Sequence, residues 1–441
     1  MISLANSLSF LDNPNINWKS VIIGFGIGQF LFQSYLEYRQ LKVLKKPSPP
    51  ASIKEEVSLE KFQNFQKYSI AKSKFSIYSS IYGLIQDLLV IKYDVLPKIW
   101  TYSNHLMTKI WLPKFMGGSI TQSIIFIVVF QLATLFTKLP VSYYKNFVLE
   151  EKFGFNKLTI KLWVTDTFKS LGLSFVLGTP VLAALLKIIE YFNENFVFYV
   201  MGFVLIINLV AMTIMPTLIM PLFNKYEPLK EGELKTAIED LAKQQAFPLN
   251  KLLVVDGSKR SSHSNAYFIG LPWSKQIVLY DTLIEQTELK ETVAILAHEI
   301  GHWKLNHLPK MLAYAMTHTF LLFTLFGNFI KNKSLFQSFG FGNQQPILIG
   351  FLLFSDIYGP IESILTFLDN YISRFHEYQA DEYALQCGYE KDLALALIKI
   401  SKENLSGMAA DKLYSIYHYS HPILPERLDA LNYVSSEKIS K

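Results

Sequence analysis

From Phe196 to Phe223 the chain carries no charged residue at all. A helix of about 20 mostly apolar residues crosses the hydrocarbon of a bilayer. Inside lipid every backbone polar group must be satisfied within the segment, so such a run restricts the chain to helix. Six further apolar segments accompany it, giving candidate spans near 20–36, 75–97, 118–137, 170–186, 195–222, 311–330 and 345–369. The second span holds Asp87, Lys92 and Asp94, and the seventh holds Asp356 and Glu362. Carboxylates at membrane depth are costly and turn towards a protein interior or a wet cavity. The competing reading of Asp87, Asp356 and Glu362 is simple pairing with a neighbouring helix, or a place at a segment end.

Composition supports a membrane class. Charged residues are 18% of the chain against 50% apolar and 15% aromatic, whereas a soluble domain has roughly 25% charged residues. The abundance of large apolar side chains excludes disorder. Cys387 is the single cysteine, which excludes an internal disulfide and a cysteine zinc cluster; a small apolar packing role suits it. The net charge of +6 is dispersed beside the apolar runs, which argues for topology and against nucleic acid as a partner. With the N-terminus outside, loops 37–74 and 138–169 carry fifteen Lys and Arg, and the opposite loops 98–117, 187–194 and 331–344 carry six. The positive-inside rule therefore predicts a lumenal N-terminus and a cytosolic C-terminus. Residues 1–18 lack a basic n-region and the basic residues come mainly after the first apolar run, so it reads as an anchor, not a cleaved signal. The stretch Lys45–Pro50 reads as a cytosolic linker.

The chemistry lies in Glu291-Thr-Val-Ala-Ile-Leu-Ala-His298-Glu299-Ile-Gly-His302-Trp303. The apolar spacing is helical, and Glu288 and Glu291 suit the positive end of a helix dipole. His298 and His302 are four apart, so both rings share a helix face and can grip one Zn²⁺, with Glu299 placed to take a proton from water. A zinc hydrolase needs a third protein ligand. Leu305 and Leu308 occupy the positions where a metzincin has glycine and histidine, and no Asp or Glu occurs between Trp303 and Ser355. The one Asp-Gly pair, Asp256-Gly257, lies upstream, unlike the downstream aspartate of site-2-type proteases. His307, five residues beyond His302, reads as a surface histidine off the ligand face.

The next acidic cluster is Arg374-Phe-His376-Glu377-Tyr-Gln-Ala-Asp381-Glu382-Tyr383. Glu377 and Asp381 share a helix face, so Glu377 could reach the metal while Asp381 orients a ligand histidine. A solvated acidic helix start is the competing reading. His376 is a rival ligand, about 100° from Glu377 around a helix, so the two would not bind together.

These motifs together resemble the type I CAAX prenyl proteases, membrane zinc endopeptidases of the endoplasmic reticulum, and within them a budding-yeast type. The resemblance covers nearly the whole chain: besides both zinc motifs, Glu150–Lys157, Ser262–Phe268, Tyr417–Pro422 and Glu426-Arg427-Leu428 are similar to family segments. It implies an all-α polytopic protein with seven transmembrane helices around a barrel-like, water-filled chamber, and a small cytosolic α+β cap carrying the zinc site. Residues 1–220 would hold spans 1–5, and 221–310 a cap segment with the HExxH helix. Residues 311–369 would hold spans 6–7, and 370–441 a cytosolic helical segment with the third ligand. It implies His298, His302 and Glu377 as ligands of one zinc per chain and Glu299 as general base, with Asp381 in the orienting role that its spacing from Glu377 suggests. Asn265 and His421 would stand near the scissile carbonyl and Arg427 near the site; on residues alone these three read as a turn residue, a helix cap and an ion-pair partner.

Substrate is expected as an extended strand against Asn265, Ala266, Tyr267 and Phe268, in β-augmentation, with Gln276–Tyr280 as hairpin partner through Gly270, Leu271 and Pro272. The implied substrates are isoprenylated CAAX proteins at the bilayer, losing their last three residues, and for fungal members a mating-pheromone precursor also cut in its N-terminal part. The implied address is the endoplasmic reticulum membrane, with the inner nuclear membrane as a second location; Ser436–Lys441 offers no dilysine or KDEL-type signal. A general quality-control zinc protease without prenyl requirement remains the alternative. A proton-relay transporter and an inactive zinc scaffold are weaker: both metal motifs adjoin cytosolic ends, and a structural site has no need of Glu299.

Overall fold

A computed structural model describes residues 8–109, 117–271 and 273–435. The chain is mostly helical. Helix α1 spans Trp18–Leu44 and α2 Leu59–Lys92, each started by a side-chain cap, Asn17 accepting from Ser20 N and Ser58 from Lys61 N. Then follow α3 Val95–Lys109, α4 Ser119–Tyr144, α5 Ile160–Leu173, α6 Thr179–Phe192 and α7 Phe196–Ile214. Wide π-turns at Lys145–Glu150, Ser174–Gly178 and Met215–Ile219 extend α4, α5 and α7.

Among the described residues three helical stretches are long and apolar enough to cross a membrane: Ser119–Glu150, Ile160–Leu222 and Ile347–Gln386. Phe136, Val176, Tyr191, Phe198 and Leu218 stand exposed on the first two, a surface suited to lipid. The segments expected near 20–36, 75–97 and 311–330 lie on α1, α2 and a later helix, which are long but less apolar. The reason is visible on α1 and α2. Gln29 and Gln33 of α1, and Ser80 and Asp87 of α2, line a cavity of about 370 Å³ with Asp356. Gln29 and Gln33 also wall a second cavity holding Glu362. Of the two readings of these acids, the cavity is the one found.

Beyond the apolar helices lies a four-stranded sheet: β1 Tyr226–Pro228, β2 Leu249–Val255, β3 Ala266–Leu271 and β4 Ser274–Tyr280, in the order β1-β2-β4-β3. β3 and β4 are antiparallel, with Ala266 opposite Leu279 and Phe268 opposite Ile277, which matches the pairing read from sequence. Gly270 and Leu271, expected in the connection, instead extend β3 and pair with Lys275 and Ser274, and Pro272 lies outside the described residues. β2 and β4 pair in parallel. Helix α8 (Glu233–Gln244) precedes β2, and α9 (Asp281–Gln286) and α10 (Leu289–Lys304) follow β4. The chain continues through α11 His307–Phe329, α12 Lys333–Ser338, the 40-residue α13 Ile347–Gln386, α14 Glu390–Glu403, α15 Lys412–His418 and α16 Leu424–Ala430.

Two large apolar cores, beside a small cluster of Tyr68, Leu149 and Phe155, hold the described residues together. One joins Trp18, Trp100, Phe126, Phe196, Phe326 and Phe354. The other packs α8, α10, the sheet, α14 and α16, with Ala294, Leu296 and Ile300 fully buried within it. Ile53 and Val57 are buried in that second core, so the chain just beyond the expected linker at Lys45–Pro50 is anchored. Residues 436–441, where a retrieval signal was sought, lie outside the described part.

Candidate metal centre

Helix α10 begins with a reciprocal capping box: the Glu288 side chain accepts a backbone N–H inside the helix, and Glu291 accepts from Glu288 N. Lys399 of α14 pairs with the buried Glu291 carboxylate at 2.9 Å. The helix is thus fixed at its start, and its last turns carry His298, Glu299 and His302. It crosses α13 closely because position 301 is glycine. A Cβ there would sit 3.0 Å from Tyr383 Cβ and 3.2 Å from Ala380 Cα.

That crossing delivers Glu377. His298 Nε2 lies 3.2 Å from His302 Nε2, and the Glu377 oxygens lie 3.5 Å and 3.3 Å from these two nitrogens. Metal–nitrogen bonds of about 2.0–2.1 Å in a tetrahedral site put ligand atoms roughly 3.4 Å apart. His298 Nδ1–H donates to Asp381 at 2.8 Å, which leaves Nε2 as a bare lone pair. Glu377 Oε2 is buried without a hydrogen-bond partner. Electron pairs converging from two imidazoles and a carboxylate with one unpartnered oxygen call for a cation, and the donor set is that of a hydrolytic zinc. The residues fit the ion. His376 does not join them; its ring stacks on His307 at 4.1 Å.

The supporting shell is built from α13, α16 and the loop between α15 and α16. Arg427 donates through Nε to Asp381 at 2.8 Å and through Nη2 to the other oxygen of the same carboxylate, a bidentate bridge. Its Nη1 stands 3.7 Å from Glu377. His421 Nε2 lies 3.2 Å from Glu377 Oε1. His421 is 64% exposed, but that surface faces a cavity of about 700 Å³ shared with Arg427, Glu150, Lys72 and His418; His418 also walls the cavity of Glu362. Crowding by this wall pushes the His421 pKa down, against the opposing pull of Glu377. Burial, first of all, raises the Glu299 carboxyl above its ordinary range, with His298 and His302 opposing. Asn265 lies at the head of β3, where its exposed side chain accepts from Ala266 N. Ala266, Tyr267 and Phe268 follow on β3, which pairs on one side only and ends the sheet.

Two residues near the site escaped the sequence reading. Arg374, buried on α13, donates to Ser415 Oγ, to the His421 carbonyl and to Glu426, so it pins the loop that carries His421. His307, read as a surface histidine, is 3% exposed and meets the second nitrogen of His302. The physical reason is a break: α10 ends at Lys304, and Asn306 takes φ +56° before α11 starts. Along an unbroken helix, position 307 would point about 140° from His302.

Comparison with known proteins agrees with this geometry. Residues 40–225 match the CAAX prenyl protease N-terminal family, described as five membrane helices, and residues 228–435 match peptidase family M48. CAAX prenyl protease 1 of Saccharomyces cerevisiae is 48% identical, covering 98% of both chains. The chain belongs to this family. The Homo sapiens CAAX prenyl protease 1 homolog is 38% identical over 91% of this chain and 92% of its own. A crystal structure of S. mikatae Ste24p superposes with a TM-score of 0.90 at 48% identity, covering 95% of this chain and all of that one. The protein is therefore an M48 zinc metallopeptidase embedded in the membrane through several helices.

Proposed function

We propose that this M48 peptidase removes the last three residues of isoprenylated proteins ending in a CAAX sequence, and that it also cuts within the N-terminal part of a mating-pheromone precursor. The observation that carries the reading is the zinc-fitting His298, His302 and Glu377 group, in a chain alike over 98% of its length to a protein named CAAX prenyl protease 1; β3, at the end of the sheet, offers an edge to which a peptide can pair.

In the proposed reaction a peptide adds to β3 as an extended strand, paired through its backbone to Asn265–Phe268. His298, His302 and Glu377 would hold the zinc, whose Lewis acidity would ease loss of a proton from water and polarise the scissile carbonyl. Glu299 accepts the proton of the attacking water and hands it to the leaving amine; a carboxyl raised by burial suits that second step. Asn265 and the His421 N–H donate to the oxyanion that develops. Asp381 holds the His298 ring, and Arg427 holds Asp381.

The finer architecture belongs to the same proposal. Seven spans surround a chamber, with a small cytosolic α+β cap and the parts 1–220, 221–310, 311–369 and 370–441. The cavities sharing Gln29, Gln33 and His418 as wall residues support a chamber running from Asp87 and Asp356 to His421. The N-terminus is lumenal, the C-terminus cytosolic, and the membrane is that of the endoplasmic reticulum, with the inner nuclear membrane second. A peptide ending in farnesyl-cysteine plus three residues tests the activity: its products, identified by mass with purified enzyme, should include the free tripeptide, which a zinc chelator abolishes. Cleavage elsewhere in the peptide, or cleavage that resists the chelator, would contradict the reading.

A further inference from the structure

The two ligand histidines are held by different partners. His298 donates through Nδ1–H to the Asp381 carboxylate. His302 has no carboxylate behind it: its Nδ1 meets His307 Nδ1 at 2.9 Å, and His307 Nε2 meets Gln379 Oε1 at 3.1 Å. One proton arrangement satisfies this chain. With Nε2 of His302 turned to the metal as a lone pair, the neutral ring carries its proton on Nδ1 and donates it to His307. His307 must then accept at Nδ1 and carry its own proton on Nε2, which donates to the carbonyl oxygen of Gln379. The reverse polarity would place a proton on the nitrogen of His302 that faces Glu377 and the metal position.

We infer that His307, itself oriented by Gln379, is a positioning residue that fixes the tautomer and ring plane of the zinc ligand His302. Three features set it in place. The left-handed Asn306 turns the chain back at the end of α10. The His307 ring lies on His376 at 4.1 Å with an interplanar angle of 11°. Its surroundings leave it 3% exposed, so water does not substitute for it as acceptor. His376 therefore backs the residue that braces His302. A neutral imidazole acceptor draws less negative charge towards the metal than a second carboxylate would. Glu377 and Asp381 already supply two carboxylates, one to the ion and one behind His298.

Loss of a group behind a metal-ligating histidine costs roughly 10- to 100-fold in metal affinity. The measurement is zinc retention by the purified full-length protein in detergent, against graded concentrations of a competing chelator, and it needs no substrate. His307→Phe keeps a ring for His376 to stack on and removes the acceptor. His307→Asn keeps an acceptor near the Nδ1 position and removes the ring. The expected result is zinc affinity about 10- to 100-fold lower in His307→Phe, and within about threefold of the parent in His307→Asn. Wild-type affinity in His307→Phe would overturn the inference; so would equal losses in both variants, which would make the stack the determinant. Should His307→Phe fail to fold, Gln379→Met reads the same chain one bond further out: a several-fold loss supports it, and unchanged affinity overturns it. Each readout concerns the metal alone, so failure here leaves the substrate reading untouched, and the reverse.

Discussion

At the scale of single residues, the site separates ligands from the group that handles protons. Glu299 lies among the ligand residues without being one of the three whose donor atoms converge. Replacing it by Gln should therefore abolish turnover by several orders of magnitude while zinc content stays at one per chain. Metal analysis beside a peptide assay checks this, and full activity in the variant would remove Glu299 from its role. Gly301 makes a different kind of contribution, because a Cβ there already presses on Ala380 and Tyr383. Gly301→Val should push α13 from α10, cost about 1–3 kcal/mol of stability and weaken zinc binding, read as a lower unfolding temperature and easier stripping by chelator. The HExxH pair was legible because a four-residue spacing on one helix fixes its own geometry. Asp381 was legible as well, four residues from Glu377 on the same face. His307 was misread because its position depends on a chain break. The signal was present in Asn306, a residue type that tolerates the left-handed conformation. Arg374 gave no signal, since what it holds is the backbone of a loop 47 residues away.

At the scale of elements, the site depends on segments far apart in sequence being locked together. Arg39 of α1 makes a bidentate pair with Asp411, and the same carboxylate caps α15 through Leu413 N and Tyr414 N. Asp411→Ala should lose both and cost about 1–2 kcal/mol, seen as a lower unfolding temperature, with Asp411→Asn falling between. Burial pushes the Asp411 pKa up, but Arg39 and the backbone N–H groups pull it below its ordinary value. Such a depressed carboxyl stabilises the fold at neutral pH and loses that contribution as pH falls below about 4. The parent's advantage over Asp411→Asn should therefore shrink in acid; an advantage unchanged at low pH would contradict the assignment. The β3–β4 hairpin was legible from Gly270 and Pro272 between two apolar runs, although Gly270 and Leu271 belong to the strand and not to the connection. β1 and β2 were not, because β2 finds its partner β4 in parallel across the intervening β3, a pairing that no local pattern encodes.

At the scale of the whole molecule, the apolar helices and the peptidase part serve one another. Long stretches at Ser119–Glu150 and Ile160–Leu222 show apolar surface to their surroundings, while α1 and α2 turn polar side chains to internal cavities. Membrane character was plain in the sequence, whereas boundaries on α1 and α2 were blurred by those same polar residues. A lipidated substrate gains bilayer affinity at about 0.8 kcal/mol per buried methylene, so the proposed enzyme meets its peptide at the membrane and leaves the bond to the zinc group. The most direct measurement compares kcat/KM for two peptides of identical sequence, one farnesylated and one not, with purified protein in detergent. The account predicts release of the terminal tripeptide from the farnesylated peptide alone, lost with chelator or with Glu299→Gln. Equal cleavage of both peptides would contradict it and identify a membrane zinc protease without a prenyl requirement.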